Sequence, residues 1–224
     1  MFNFLFNKIN QSSTSAKASK DPNIKSTTTL EESISNIENI LQIKSPKLQK
    51  VACLYDEGGL VQCQFELAPN TLPTNAHYYA AYYLDDADII YFSAYRIKSD
   101  HNKNSISFVE LSIGDILFTL AHELKHVWQK EYEYDKYYKK NAIGNEVIND
   151  PAEIDADAFA VAYLCSSNSS YSYKDFPFNL EQMHIQGTLD NGKRWSRAEQ
   201  LSDQFGFDSR ENIIAAKTAL IRRN

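Results

Sequence analysis

The chain has 224 residues and a formal net charge of −6, from 23 basic and 29 acidic side chains. This length suffices for one sizeable hydrophobic core, and a hydrophobic content of 43% excludes a chain that is disordered throughout. The negative charge argues against a nucleic-acid partner, because the chain lacks the overall positive field that attracts phosphates.

The N-terminal residues are predicted to lie outside the folded domain. Residues 10–29 are rich in Ser, Thr and Lys without an apolar period, which predicts a flexible segment. The apolar run before them is far shorter than the ~20 residues that cross a bilayer, and it lacks the basic leader of a secretory signal. We interpret it as a frayed end or a docked strand, with a small membrane or partner anchor as the alternative.

The cysteines indicate a reducing compartment. Cys53, Cys63 and Cys165 are odd in number and far apart, and they form no C-x-x-C pair. We therefore expect reduced, mostly buried thiols in a cytoplasmic protein.

The first elements of the domain are predicted to be one or two short helices. Apolar residues recur at helical spacing from Leu30 onwards, interrupted by Pro46. They are Ile34, Ile37, Ile40, Leu41 and Leu48.

Several strands should follow. Val61, Cys63, Phe65 and Leu67 alternate with polar residues, which is typical of a half-buried strand. Residues 78–84 and 89–95 are rich in β-favouring aromatics and flank Asp85-Asp86, which makes them a candidate hairpin. Another short strand is expected at 106–110.

A long amphipathic helix is predicted from Ser112 to about Tyr132. Ser112 and Asp115 form the Ser-x-x-acid pattern of a helix start. Apolar residues then recur with a period of 3.6, at Ile113, Ile116, Leu117, Leu120, Leu124, Val127 and Trp128. The helix is therefore predicted independently of the two histidines that it contains.

The middle of this helix carries His122-Glu123-Leu124-Lys125-His126, an H-E-x-x-H motif. Residues four apart share one helix face, so both imidazoles can bind a single zinc ion, with Glu123 within reach of a water on the metal. The alternative is that two of the five histidines fall four apart by chance. Lys125 is expected to be a solvated side chain.

A second helix is predicted to open at Asp150-Pro151, an N-cap followed by a first-turn proline. Catalytic zinc takes three protein ligands and leaves one position to water. Glu153 is the candidate for the third ligand, because it shares a helix face with apolar residues further along. Its alternative role is to cap the start of its own helix.

Two aspartates follow Glu153 on the same predicted helix. Asp157, one turn later on the same face, can accept a hydrogen bond from a ligand imidazole and fix its tautomer. Asp155 is expected to face solvent.

The sequences HELKH at 122–126 and EIDAD at 153–157 together resemble the gluzincin zinc metallopeptidases, in which H-E-x-x-H is completed by E-x-x-x-D. The continuation to Ala160 is most similar to the small ImmA/IrrE-type minimal zincin domains. The resemblance covers about residues 60–165. Lys125 stands where that family often has glycine, and nothing after Leu164 resembles the ImmA/IrrE continuation.

The resemblance implies an α+β fold, with a small mixed or antiparallel sheet preceding the H-E-x-x-H helix. It also implies one zinc ion per chain, bound by His122, His126 and Glu153. Glu123 would be the general base that takes a proton from the attacking water and passes it to the leaving amine. The implied substrate is a polypeptide, such as a regulatory protein.

In the zincin pattern the substrate lies extended along an edge strand, for which residues 89–95 or the strand near Ile106 are candidates. The spacing does not select a donor for the tetrahedral intermediate among Tyr132, Tyr134, Tyr163 and His184. The tyrosines between 132 and 138 either line a cleft or form a packed, half-exposed surface.

The predicted domain covers residues 30–224, with a catalytic core at about 60–165 and a helical extension at 166–224. Gly192 to Arg197 should enter a helix, and residues 213–221 should form another. Lys193, Arg194 and Arg197 are either a solvated basic turn or a site for an acidic partner.

Two other functions remain open, a non-catalytic zinc-stabilised binding module and a zinc hydrolase acting on a non-peptide amide. Glu123 favours catalysis, because a structural zinc site needs no base and usually closes all four positions with protein ligands.

Overall fold

The computed structural model describes residues 29–100, 105–138, 151–169 and 192–221, and over these ranges the chain is an α+β protein. Its helices are α1 (Leu30–Leu41), α2 (Ile113–Tyr132), α3 (Tyr134–Tyr137), α4 (Pro151–Leu164), α5 (Lys193–Phe205) and α6 (Arg210–Ile221). Its strands are β1 (Lys47–Val51), β2 (Cys53–Glu57), β3 (Leu60–Gln64), β4 (His77–Tyr79), β5 (Ala81–Leu84), β6 (Ile89–Ser93), β7 (Tyr95–Asp100) and β8 (Ser105–Glu110). The predictions for residues 1–28, Asp150 and His184 lie outside the described residues.

The first helix begins where its apolar period predicts. Thr29 and Glu32 form a reciprocal capping box, and Ile34, Ile37 and Leu41 are buried on one face. Leu48 was wrongly placed in this helical region, since it lies in β1.

The predicted sheet is divided into three small ones. β6 lies between β1, to which it is parallel, and β5, to which it is antiparallel. This confirms the hairpin across Asp85-Asp86, although a 3-10 turn at Asp85–Ala87 replaces a two-residue turn. β2 lies between β3 and β4, and β7 pairs with β8. Tyr78 therefore belongs to a different sheet from Leu84.

The long helix α2 begins and ends where the sequence predicts. The Ser112 hydroxyl accepts from the backbone N–H of Asp115 at 3.1 Å, and the helix ends at Tyr132. α2 packs against α1, α4 and the β5–β6 strands, so its central residues lie inside the main hydrophobic core.

The C-terminal helices belong to that same core. α5 packs against α4, and Trp195, Ala198 and Leu201 are buried in the cluster that contains Phe159. The described part of the C-terminal region therefore packs into the main hydrophobic core. Among the described residues, no helix combines the length and the apolarity that crossing a membrane requires.

Candidate metal centre

Three side chains predicted as metal ligands converge between α2 and α4. His122 and His126 lie one turn apart on α2, and Glu153 lies in the first turn of α4. Their inward-facing atoms are close together: the two Nε2 atoms are 3.0 Å apart, and each is 3.3 Å from one carboxylate oxygen of Glu153. Among the described residues, these three form the group that could hold a metal ion.

The chemistry of this donor set fits zinc. Ligand atoms about 2.0–2.1 Å from a tetrahedral zinc lie about 3.3–3.4 Å from one another, close to the observed separations of 3.0–3.3 Å. Two imidazole nitrogens that face each other with their lone pairs repel, and a cation or a shared proton between them removes that repulsion. The Glu153 side chain is 31% exposed, so the group is accessible to solvent on that side.

Glu153 directs its carboxylate at the imidazoles, each oxygen facing one ring. Burial alone would raise the pKa of the Glu153 carboxyl, but the hydrogen bonds from His122 and His126 outweigh it and hold this pKa well below its usual range. This orientation is the one that the ligand role requires.

His122 is held from behind by Asp157. Asp157 Oδ1 lies 2.8 Å from His122 Nδ1, and Arg194 Nε donates to Asp157 Oδ2 at 2.5 Å. Burial alone would lower the pKa of His122, but the charge and hydrogen bond of Asp157, with those of Glu153, raise it well above its ordinary value. Asp157 thus lies where the sequence placed it. The solvated-turn interpretation of Arg194 is wrong, because this side chain is buried in an ion pair.

His126 is held by Gln129 and Tyr138, which no motif in the sequence indicated. Gln129 Oε1 lies 2.9 Å from His126 Nδ1, and the Tyr138 hydroxyl lies 3.3 Å from the same nitrogen. The amide nitrogen of Gln129 donates to the carbonyl of Ala152 at 3.0 Å and to Asp155 at 3.2 Å. The signal that could have found Gln129 is its position, three residues after His126 on the same helix face.

Asp155 does not face solvent, so that prediction is wrong. Its side chain is only 3% exposed, and Arg197 Nε donates to Oδ1 at 2.6 Å. Lys125 Nζ lies 3.4 Å from Oδ2. Burial alone would raise the pKa of the Asp155 carboxyl, but the charges of Lys125 and Arg197 hold it below its ordinary value. Arg197, like Arg194, is therefore engaged inside the protein.

Lys125 is also buried, contrary to its predicted solvated position. The residue is fully inaccessible, and its amine lies 3.4 Å from the centroid of the Trp128 ring. Burial lowers the pKa of Lys125 to about 8, and the charge of Asp155 opposes this effect. The lysine in the motif is thus part of the packing between α2 and α4.

Glu123 is placed beside the three converging groups and remains unengaged. Its carboxylate makes no hydrogen bond or ion pair with any residue of the described ranges. Burial raises the pKa of Glu123, while the neighbouring His122 and His126 lower it. A partly buried carboxylate with a raised pKa next to a candidate metal position is suited to accept and return a proton.

The tyrosines named as candidate donors lie elsewhere. The Tyr132 hydroxyl donates to the carbonyl of Gln42, and Tyr163 is fully buried with its hydroxyl directed to the carbonyl of Ser33. Tyr134 is exposed, with its ring against Tyr138. Of the tyrosines between 132 and 138, Tyr138 is the one whose hydroxyl contacts a histidine of the candidate site.

No protein-family model, curated protein or solved structure matches this chain. The residues of the site itself are therefore the basis for a function.

Proposed function

We propose that this protein is a zinc metallopeptidase of the gluzincin type, most similar to the minimal ImmA/IrrE-type zincin domains. The observation that carries the proposal is the convergence of His122, His126 and Glu153 within 3.0–3.3 Å, beside an unengaged Glu123. Three ligands with an accessible side are typical of a catalytic zinc site, whereas a structural site closes all four positions with protein ligands.

The residues would share the reaction as follows. A bound zinc ion would polarise the scissile carbonyl and acidify a water molecule. Glu123 accepts the proton of the attacking water and then donates it to the leaving amine, a role favoured by the raised pKa of its carboxyl. Asp157 and Gln129 hold the backs of the two imidazoles, so that Nε2 of each ring faces the metal position.

The geometry of the sheet favours a polypeptide substrate. β6 is paired on both sides, so the prediction that residues 89–95 provide the substrate-binding edge is wrong. The other candidate, the strand near Ile106, is β8, which pairs only with β7 among the described strands. β5 (Ala81–Leu84) is the edge strand that packs beside α2, and within the described part of the chain its second side pairs with no strand. An extended peptide could add to this edge by main-chain hydrogen bonds, an arrangement that a compact amide metabolite cannot form.

The three thiols agree with a cytoplasmic enzyme. Cys53, Cys63 and Cys165 are all free, and burial raises the pKa of Cys53 to about 11 and that of Cys165 to about 12, which keeps them protonated and unreactive.

The test is metal content by elemental analysis of the purified protein beside three variants. We expect about one zinc per chain, by analogy with catalytic sites that use three protein ligands. His126→Ala and Glu153→Ala should lose the metal, whereas Glu123→Gln should retain it and lose peptidase activity on unfolded protein substrates. A wild type that takes up no zinc after supplementation would overturn the proposal. Zinc binding with no hydrolysis of any peptide would instead indicate a zinc-stabilised binding module.

A further inference from the structure

Two chains of polar contacts lead from the paired histidines to the same helix, α5. In one, His122 contacts Asp157, which is bound by Arg194. In the other, His126 contacts Gln129, whose amide donates to Asp155, which is bound by Arg197.

We propose that Gln129, Asp155 and Arg197 are positioning residues that fix the tautomer of His126, and that α5 anchors the supports of both imidazoles. The inference rests on the proposed metal site, for which a histidine must present an unprotonated Nε2.

The orientation of the Gln129 amide is determined by its partners. Its nitrogen lies 3.0 Å from the carbonyl oxygen of Ala152 and 3.2 Å from Asp155 Oδ2, both of which are acceptors. The NH₂ group must therefore point to them, and Oε1 must point to His126. Gln129 is fully buried, so a flipped amide would set oxygen against oxygen with no water to relieve it.

The tautomer of His126 follows from this orientation. Gln129 Oε1 is only an acceptor, so the His126 Nδ1 that lies 2.9 Å away must carry the hydrogen. The lone pair of the ring is then on Nε2, the atom that faces His122 and Glu153. The Tyr138 hydroxyl, 3.2 Å from Gln129 Oε1, donates to the second lone pair of the same oxygen.

Asp155 keeps the Gln129 amide in place because neighbouring cations stabilise the negative charge of its carboxylate. Arg197 Nε donates to Oδ1 at 2.6 Å, while Oδ2 receives the amide of Gln129 and lies 3.4 Å from Lys125 Nζ. The carboxylate is 3% exposed and the arginine side chain 27% exposed. The arginine can therefore be substituted at lower structural cost than the buried groups.

Arg194 and Arg197 share one face of α5, because they are three residues apart in that helix. Their partners Asp157 and Asp155 both belong to α4, next to Glu153. Binding of the metal is thus linked to docking of a helix that begins 40 residues after Glu153 in the chain.

The experiment compares wild type, Gln129→Leu, Arg197→Leu and Arg197→Lys in the full chain. Imidazole ¹⁵N spectra of the metal-free proteins at mildly alkaline pH report the tautomer, and competition of zinc chloride with a chelating dye reports affinity. Thr119→Val is the matched control, since Thr119 is buried on α2 and bonds only the carbonyl of Asp115 among the described residues.

We expect His126 to be protonated at Nδ1 in wild type and to lose this preference in Gln129→Leu, with zinc binding weakened about 10- to 100-fold. Arg197→Leu should change the spectrum in the same direction, Arg197→Lys should restore it, and Thr119→Val should leave both readouts unchanged. If Gln129→Leu fails to fold, the comparison of Arg197→Leu with Arg197→Lys tests the inference.

An Nε2-protonated His126 in wild type, or an unchanged tautomer and affinity in Gln129→Leu and Arg197→Leu, would overturn the inference. A tautomer change in a protein that binds no zinc would support the positioning role and reject the metal site, so the two failures are distinguishable.

Discussion

Arg194 and Asp157 form a charge-assisted hydrogen bond of 2.5 Å that joins α5 to α4. Their side chains are only 4% and 14% exposed, so the interaction is weakly screened by solvent. The second oxygen of Asp157 lies 2.8 Å from Nδ1 of His122. Arg194 therefore positions the Asp157 carboxylate, which in turn orients the imidazole of His122.

Replacing Asp157 by alanine should weaken zinc binding about 10- to 100-fold, as the loss of an outer hydrogen-bond partner of a ligand histidine typically does. The variant keeps all three proposed ligands, so zinc should still bind when it is in excess. Affinity is measured by competition with a chelating dye. Asp203→Ala is the control, because that carboxylate lies on α5 and its side chain is 68% exposed. Equal affinity in Asp157→Ala and wild type would contradict the assignment.

The sequence predicted the two helices of the site because their signals are local. The Ser112 cap, the apolar period of α2 and the proline that opens α4 involve residues within a few positions of one another. The convergence of His122, His126 and Glu153 followed from the motif spacing and from packing of the two helices.

The predictions that failed depended on distant partners. Lys125 and Asp155 were expected to face solvent, yet they are buried because Arg197, 42 residues after Asp155, closes the cluster. Periodicity alone does not reveal such an ion pair. β2 is a different case, because its signal is local: Gly58 and Gly59, both with positive φ, form the two-residue turn that joins β2 to β3.

Removing the cap of α2 should destabilise the domain. The Ser112 hydroxyl accepts from the N–H of Asp115 at 3.1 Å and donates to its carboxylate at 2.9 Å. Ser112→Ala should therefore lower the free energy of unfolding by about 1 kcal/mol, measured by urea denaturation. Ser35→Ala, at an exposed position inside α1, should change it by less than about 0.5 kcal/mol. Equal effects of the two substitutions would show that the cap contributes nothing specific.

The buried cluster around Asp155 should respond asymmetrically to the loss of each charge. In Lys125→Met, Asp155 keeps Arg197 and Gln129 as partners, and the cost of burying an amine is removed. The free energy of unfolding should then stay within about 1 kcal/mol of wild type. Asp155→Asn leaves Lys125 and Arg197 without an anion and should cost about 3 kcal/mol.

Chemical denaturation of both variants and of the double variant measures this difference. In the double variant the cost of Asp155→Asn should shrink, because one unpaired cation is gone. A larger loss in Lys125→Met than in Asp155→Asn would show that contact with the Trp128 ring, and not the charge balance, governs the cluster.

Alkaline pH should destabilise the protein in part through two groups at the end of α4. Burial raises the pKa of the Tyr163 hydroxyl and of the Cys165 thiol to about 12, from 10.0 and 9.0. The folded chain therefore holds both protons more tightly than the unfolded chain. Their stabilising contribution is complete below pH 9 and is lost as pH rises toward about 12.

Each group should add a slope of up to about 1.4 kcal/mol per pH unit to the decline in stability. Urea denaturation under reducing conditions, repeated across this pH range, measures the slope. Cys165→Ala should flatten the decline most strongly in its lower part, because the cysteine has the lower pKa in the unfolded chain. Cys63→Ala should flatten it less, since that thiol is only half-buried. A slope that Cys165→Ala leaves unchanged would mean that Cys165 does not carry this share of the alkaline sensitivity.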